Sequence, residues 1–237
     1  MLNREVSSNR YIFQPAPPIS VPILGDDQRF PVRRVFCVGR NYAEHAKEMG
    51  ASPERGQRPV FFTKPADAVL ADGQATRYPS ATANLHFEVE LVVALHSGGE
   101  NIATEQALSH VFGYAVGNDL TRRDLQLEAK NAGLPWDISK AFDQSAALSA
   151  IAAAAVIGHP TSGAITLDVN GSRRQQADIA ELLWTVPEII HELSKLFCLS
   201  AGDLIFTGTP AGVGALARGD LLIGHIEGVG TLRHSVC

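Results

Sequence analysis

Apolar and polar residues alternate over residues 85–93, and this pattern predicts a strand. Phe87, Val89 and Leu91 occupy one set of alternate positions, whereas Glu88 and Glu90 belong to the other set. Side chains two apart in a strand point to the same face, so a period of two is typical of a strand with one buried face. Short apolar runs bounded by turn residues predict further strands at residues 34–38, 60–63, 111–116, 204–206, 221–226 and 231–236.

Segments with a helical pattern are fewer. Helices are predicted at residues 41–49, 104–110, 122–131 and 184–197. Asn41 is the expected N-cap of the first helix and Gly50 its expected end. Pro187 lies near the first turn of the last helix, where a missing N–H is tolerated.

The dipeptide Asn170-Gly171 lies between two strand-like segments, residues 164–169 and 173–176. Asn-Gly favours the tight turn of a two-residue hairpin, so these segments are expected to pair with each other. Many short strands with few helices indicate an α+β, β-rich domain and not a repeated βαβ unit.

Residues 1–31 are rich in proline and polar side chains. Proline fixes φ and has no backbone N–H, so the prolines in this segment disfavour regular elements. We therefore predict an extended N-terminal arm over residues 1–31, followed by one domain over residues 32–237.

Composition and charge exclude several classes of protein. The chain has 237 residues and a formal net charge of -5, whereas a nucleic-acid surface needs a basic excess. The longest weakly polar run, residues 145–157, is shorter than the ~20 residues of a membrane span, and the N-terminus has no apolar signal segment. A soluble protein that binds neither nucleic acid nor membrane is expected.

The cysteines favour a reducing compartment. Cys37, Cys198 and Cys237 are odd in number and form no C-x-x-C pair, which is a poor basis for disulfides. Cys37 and Cys198 have apolar neighbours and are expected to be core thiols. The cytoplasm is the compartment that fits best.

Two glutamates carry the most informative chemistry. Glu88 and Glu90 are expected on one face of the predicted strand, where two buried carboxylates would need a cation to offset their repulsion. Mg²⁺ or Mn²⁺ prefers such oxygen ligands. Taken alone, however, E-x-E is more typical of the exposed face of an edge strand.

Three later segments carry further polar candidates. Asp119 follows the strand predicted at residues 111–116, although Asp119 or Thr121 could equally cap the next helix. Lys140 lies among apolar and turn residues, where a surface lysine is the plain alternative. The glycine-rich residues 207–214 lack the Gly-Lys-Ser/Thr ending of a P-loop, so they favour holding a carboxylate over binding a nucleotide.

The order and spacing of six motifs resemble the fumarylacetoacetate hydrolase family from about Val32 to Val236. The motifs are Gly39-Arg40-Asn41-Tyr42-x-x-His45, Thr63-Lys64-Pro65, His86-x-Glu88-x-Glu90, Asn118-Asp119-x-Thr121-x-Arg123-Asp124, Lys140-x-Phe142-Asp143 and Thr207-Gly208-Thr209-Pro210. The resemblance implies a mixed β-roll or sandwich with a few flanking helices, and a homodimer.

The resemblance also implies roles for particular residues. Glu88, Glu90 and Asp119 match the family's ligands for Mg²⁺ or Mn²⁺. His45 and Glu48 match its general base pair on a mobile lid helix.

Further positions match those that bind the substrate. Arg123, Gln126 and Lys140 correspond to residues that hold substrate oxygens and stabilise negative charge, and Thr209 to one that contacts the substrate carboxylate. Arg40 and Lys64 are further candidates, for the distal carboxylate.

The implied activity is metal-dependent hydrolysis of a carbon–carbon bond in a small acylpyruvate. The short chain and the lead-in Phe30-Pro31-Val32-Arg33-Arg34 are similar to bacterial family members that convert fumarylpyruvate to fumarate and pyruvate in gentisate breakdown. Oxaloacetate decarboxylation and isomerisation of hydroxymuconate-type diacids stay open on the same site. An alternative of another class is a non-catalytic metal-binding module.

Overall fold

Strands dominate the fold. The computed structural model describes residues 11–56 and 58–237. Its strands are β1 (Ser20–Pro22), β2 (Arg29–Pro31), β3 (Arg34–Gly39), β4 (Val60–Lys64), β5 (Val69–Ala71), β6 (Ala75–Thr76), β7 (Leu85–Phe87), β8 (Val89–Leu95), β9 (Val111–Asp119), β10 (Thr121–Arg122), β11 (Ala146–Leu148), β12 (Ala152–Ala153), β13 (Ala164–Val169), β14 (Ser172–Asp178), β15 (Asp203–Phe206), β16 (Gly214–Ala215), β17 (Leu221–Ile226) and β18 (Gly230–Val236). Its helices are α1 (Ala43–Glu48), α2 (Arg123–Ala132), α3 (Asp137–Lys140), α4 (Ala154–Ile157) and α5 (Val186–Ser194), with 3₁₀ turns at Ala66–Ala68, Thr104–His110 and Ile179–Glu181.

The largest sheet carries the centre of the molecule. Its strands run in the order β4-β3-β15-β8-β9-β11-β5, with β12 added alongside β9. β8 lies between β9 and β15 and pairs antiparallel with both. A central strand of this kind is expected to be buried on both faces, and all seven residues of β8 are buried.

Alternate residues of the large sheet enter two different apolar clusters. Leu91 and Val93 pack with Ile165 and Leu222 of a five-stranded sheet, which runs in the order β14-β13-β17-β18-β6. Val92 lies in a smaller cluster on the opposite face. This arrangement confirms the prediction of a strand-rich α+β fold with few helices.

The predicted strand over residues 85–93 is divided at Glu88. β7 belongs to a separate three-stranded sheet, in the order β10-β7-β16, whereas β8 belongs to the large sheet. At the division, the backbone N–H of Glu88 donates to the side-chain oxygen of Asn118 at 2.8 Å. The alternation of side chains between two faces continues across Glu88, but the chain pairs with different strands on either side of it.

Regular structure begins earlier than the prolines predict. β1 and β2 pair antiparallel and bury Val21 and Phe30, so the expectation that residues 1–31 lack regular elements is wrong for residues 20–31. Pro22 and Pro31 stand at strand ends in a two-stranded ribbon, where a missing N–H costs little. Residues 1–10 of the predicted arm lie outside the described residues.

Two local predictions are corrected. The first helix begins at Ala43 with Tyr42 as its N-cap, because the side chain of Asn41 is engaged elsewhere by tertiary hydrogen bonds. Cys198 is exposed and not a core thiol, since it lies in the turn beyond α5; Cys37 is buried in β3 as predicted. Among the described residues, no helix combines the length and the apolar character needed to cross a bilayer.

Candidate active site

The register of β8 and β9 brings three carboxylates together. The N–H of Asp119 donates to the carbonyl of Glu88 at 2.8 Å, so the last residue of β9 lies directly across from Glu88. Oxygen atoms of Glu88, Glu90 and Asp119 lie within 4.8 Å of one another, and all three residues are buried, Glu90 being 1% exposed. These glutamates therefore do not line the exposed face of an edge strand.

A glycine faces Glu90 across the ladder. Gly117 pairs with Glu90 in the register of β8 and β9. A Cβ atom at this position would lie 2.5 Å from side-chain atoms of Phe206 and Val92. Since a larger residue would displace the packing beneath the carboxylates, the close approach requires glycine here.

Three basic side chains surround the carboxylates. The ammonium of Lys140, at the end of α3, lies 2.7 Å from Glu88 and 2.6 Å from Asp119. Arg123, the first residue of α2, pairs with Glu88. Lys64, the last residue of β4, lies 2.8 Å from the other oxygen of Asp119. Lys140 is thus buried in an ion-pair network and is not a surface lysine.

The pKa values of the two buried glutamates are shifted in opposite directions, because their charged neighbours differ. Burial acts to raise the pKa of Glu88, but Lys140 and Arg123 outweigh it, so the pKa of Glu88 lies below its ordinary value. Burial and the neighbouring carboxylates Asp119 and Glu88 hold the pKa of Glu90 well above its ordinary value. Glu90 is therefore the carboxylate that an additional cation would stabilise most as an anion.

Helix α1 covers this cluster with a histidine and a glutamate. The Nδ1 atom of His45 lies 3.1 Å from one carboxylate oxygen of Glu48, as the i, i+3 spacing predicts. The other carboxylate oxygen accepts the backbone N–H of Gly212 at 3.1 Å. At the end of the helix, Lys130 of α2 donates to the carbonyl of Met49 at 2.7 Å. The helix is thus tied down on two sides.

A cavity that is open to solvent lies between helix α1 and the carboxylates, and its empty space, including the solvent-open part, is about 470 Å³. The predicted site residues on its wall are Arg40, His45, Glu88, Glu90, Asp119, Arg123, Gln126, Lys140 and Thr209. Other residues of the wall, which sequence reasoning did not assign, include Met49, Phe62, Lys130 and Trp136. Nine of the predicted positions thus face one common space, although eight of them come from five separate motifs and Gln126 lies outside these motifs.

Two predicted residues lie behind that wall. Glu48 stands behind His45 and contacts it directly. Lys64 is fully buried beyond Asp119, where its ammonium also donates to the carbonyls of Leu120 and Lys140. The structure therefore brings Lys64 to the carboxylate cluster but not to the cavity.

Gly208 of the glycine-rich loop contacts the cluster, and Asn41 holds that loop in place. The N–H of Gly208 donates to Glu90 at 2.7 Å, and Asn41 donates to the carbonyl of Thr207 at 2.7 Å. Gly208 has a φ of +104°, and a Cβ there would lie 2.6 Å from that of Asn41. Both residues belong to the motifs quoted above, but the sequence around them does not indicate which distant residues they contact.

Gln175 was missed by sequence reasoning. It lies on β14 and is buried, and its amide donates to Thr209 and to the carbonyl of Pro210, each at 2.8 Å. Its oxygen accepts the N–H of Val89 at 3.0 Å. A glutamine in a polar hairpin strand gives no hint of this role, because the contact joins two different sheets.

The carboxylate cluster fits a hard divalent cation. Three carboxylates in mutual reach form an all-oxygen donor set of the kind that Mg²⁺ and Mn²⁺ prefer. The raised pKa of Glu90 indicates that the basic neighbours alone do not offset its charge. Glu88, Glu90 and Asp119 are the residues that would hold the ion.

The fold and the cluster define a family. Residues 34–237 match the family model described as fumarylacetoacetate (FAA) hydrolase C-terminal, and the chain belongs to this family.

Three relatives are similar to this chain over most of their own length. The crystal structure of fumarylpyruvate hydrolase from Pseudomonas aeruginosa in complex with Mn²⁺ and pyruvate is 53% identical, with a TM-score of 0.93, over 96% of this chain and 99% of that one. Fumarylpyruvate hydrolase from a Ralstonia species is 41% identical over 180 residues, which are 76% of this chain and 93% of the relative. The mitochondrial oxaloacetate tautomerase of Rattus norvegicus is 41% identical over 204 residues, 86% of this chain and 91% of the relative.

Proposed function

We propose that this chain is a divalent-metal-dependent hydrolase that cleaves the carbon–carbon bond of fumarylpyruvate, giving fumarate and pyruvate. The observation that carries the proposal is the position of the His45–Glu48 pair in helix α1, which covers the cavity above three buried carboxylates. The likeness to fumarylpyruvate hydrolases at 53% and 41% identity supports the same substrate.

Mg²⁺ or Mn²⁺ is the proposed cofactor, held by Glu88, Glu90 and Asp119. When bound, the ion would act as a Lewis acid toward the oxygens of the pyruvoyl group. The complex of the Pseudomonas aeruginosa relative with Mn²⁺ and pyruvate supports this choice.

Different residues of the chain bind the substrate carboxylate, activate the water and stabilise the developing charge. Thr209 accepts a hydrogen bond from Gln175, which leaves its own hydroxyl hydrogen for the substrate carboxylate. His45, oriented by Glu48, takes a proton from a water molecule that attacks the acyl carbonyl. Arg123 and Lys140 supply N–H donors for the negative charge that develops on that carbonyl oxygen.

The bond that breaks joins the acyl carbon to the methylene carbon of pyruvate. Its electron pair stays with the pyruvate fragment, which then takes up a proton, while the added water oxygen remains in the new carboxylate. Burial under helix α1 limits the access of bulk water during these steps, since His45 is only 6% exposed.

A second candidate is a reaction of oxaloacetate on the same residues. The 41% identity with a mitochondrial oxaloacetate tautomerase favours it. Oxaloacetate shares the pyruvoyl end of the proposed substrate, so the carboxylate cluster and Thr209 would bind it in the same way. The products separate the two candidates, because hydrolysis of fumarylpyruvate releases two acids, whereas tautomerisation of oxaloacetate moves a proton and leaves the carbon skeleton intact.

The proposal is tested with purified protein on fumarylpyruvate, acetylpyruvate, fumarylacetoacetate and oxaloacetate, each with Mg²⁺, Mn²⁺ or EDTA. The expected result is metal-dependent cleavage of fumarylpyruvate well above the others, lost in His45→Gln. Metal-dependent consumption of oxaloacetate alone would replace hydrolysis by the second candidate. Inactivity on all four, without metal uptake, would favour a non-catalytic protein.

The cytoplasm and a homodimer are the proposed location and assembly. Free Cys37, Cys198 and Cys237 support a reducing compartment. Exposed apolar side chains at Leu134 and Ile138, near the cavity wall, support an interface between two copies. Sedimentation of the purified chain tests the assembly.

A further inference from the structure

Helix α2 turns one stripe of side chains toward the cavity. Arg123, Gln126 and Lys130 are three and four residues apart, so they lie above one another on one face of the helix. All three line the cavity. At 1.5 Å per residue, the seven residue steps from Arg123 to Lys130 span about 10 Å along the helix axis.

The stripe runs from the carboxylate cluster to the mouth of the cavity. Arg123 and Gln126 are each 8% exposed, and Arg123 pairs with Glu88. Lys130 is exposed, and its ammonium donates to a neutral acceptor, the carbonyl of Met49. Within residues 11–56 and 58–237, no carboxylate at this site forms an ion pair with the ammonium of Lys130.

We propose that Lys130 binds the distal carboxylate of a dianionic acylpyruvate, and so selects substrates with an acid group at both ends. The inference rests on the proposed function, which places the pyruvoyl end at Glu88, Glu90 and Asp119. An extended substrate anchored there directs its acyl group along α2 toward the mouth of the cavity. Lys130 is the cation that the stripe provides at that end, and a carboxylate is the group that a lysine ammonium binds by charge-assisted hydrogen bonds.

The same ammonium can keep its contact with helix α1. Lysine has three N–H donors, and the carbonyl of Met49 uses one of them. A bound carboxylate would use another, so Lys130 would join the acid end of the substrate to the end of α1. The contact of Glu48 with Gly212 still fastens the helix when Lys130 is replaced, so the loss of Lys130 should act mainly on the diacid.

The test compares two substrates in Lys130→Met, which keeps an unbranched apolar side chain of similar length. We expect kcat/KM for fumarylpyruvate to fall by about 10- to 100-fold, the range of a charge-assisted hydrogen bond, mainly through KM. For acetylpyruvate, which has no distal carboxylate, we expect a change of less than about 3-fold, a surface-substitution effect. Lys130→Arg should retain most of the preference for fumarylpyruvate.

Lys195→Met is the matched control, since Lys195 is exposed and pairs with Glu192 away from the cavity. It should leave both substrates unchanged. Equal losses on both substrates in Lys130→Met would show that Lys130 only fastens helix α1, and no loss would also overturn the inference. If the wild-type chain cleaves neither substrate, the proposed function itself has failed, which is a separate result.

Discussion

Glu48 joins His45 to the glycine-rich loop across the cavity. One carboxylate oxygen lies 3.1 Å from Nδ1 of His45, and the other accepts the N–H of Gly212 at 3.1 Å. Partial burial acts to raise the pKa of Glu48, but the hydrogen bonds with His45 and Gly212 outweigh it and hold the pKa below its ordinary value. Glu48 is therefore ionised at neutral pH and becomes protonated only as the pH falls through that lowered pKa.

Glu48→Gln should lower turnover because it removes the charge that orients His45. We expect kcat on fumarylpyruvate to fall by about 10- to 100-fold, less than the loss of the base itself, with little change in KM. Steady-state kinetics at saturating Mn²⁺ checks this. Glu44→Gln, on the same helix but paired with exposed Lys47, is the control, and an unchanged kcat in Glu48→Gln would remove the pair from the mechanism.

Glu90→Gln should strongly weaken metal binding without unfolding the chain. Replacing a residue that binds the ion directly should lower the affinity by more than the 10- to 100-fold that is typical of replacing an outer-shell residue. We therefore expect Mn²⁺ to bind at least about 100-fold more weakly. Because burial and the neighbouring carboxylates raise the pKa of Glu90, its ionised form destabilises the metal-free chain, and the Tm without metal should stay the same or rise.

Calorimetric titration with Mn²⁺ and thermal unfolding with and without the ion check both parts. Glu128→Gln, at an exposed position of α2, is the control. Full Mn²⁺ affinity in Glu90→Gln would contradict the assignment of the ligands.

Gln175→Ala should weaken both stability and substrate binding. The substitution leaves the buried N–H of Val89 without its acceptor, which costs about 1–3 kcal/mol in the free energy of unfolding. Thr209 also loses the donor that fixes its hydroxyl, so KM should rise more than kcat falls. Urea unfolding and kinetics measure the two effects, with the exposed neighbour in Gln176→Ala as reference; a change in stability alone would assign Gln175 a structural role only.

His234 should lower the free energy of unfolding at acid pH. Burial lowers its pKa from 6.5 to about 4, and its Nε2 atom lies 2.8 Å from the amide of Asn118. Because the folded pKa lies below the unfolded one, the unfolded chain binds the proton first, and stability falls as the pH drops below 6.5. The loss reaches about 3 kcal/mol by pH 4.

His234→Gln should flatten this part of the profile of unfolding free energy against pH. His225→Gln, at an exposed position of the same sheet, should leave it unchanged. Profiles of equal slope in the wild type and His234→Gln would rule out this histidine as the cause.

The local geometry of the site is readable from the sequence. A separation of two residues in a strand places Glu88 and Glu90 on one face, and a separation of three residues in a helix places His45 beside Glu48. Both relations depend only on backbone periodicity. The Asn170-Gly171 turn likewise predicts its hairpin, which β13 and β14 confirm. The family motifs add the roles of these residues but not their distances.

Long-range packing decided the rest. Asp119 reaches Glu88 only through the register of β8 and β9, and Gln175 reaches Thr209 only because two sheets pack together. The division at Glu88 and the burial of Lys64 beyond Asp119 have the same origin. A strand pattern specifies which side chains share a face, but not which strand lies beside it, because pairing and register follow from burial across the whole domain.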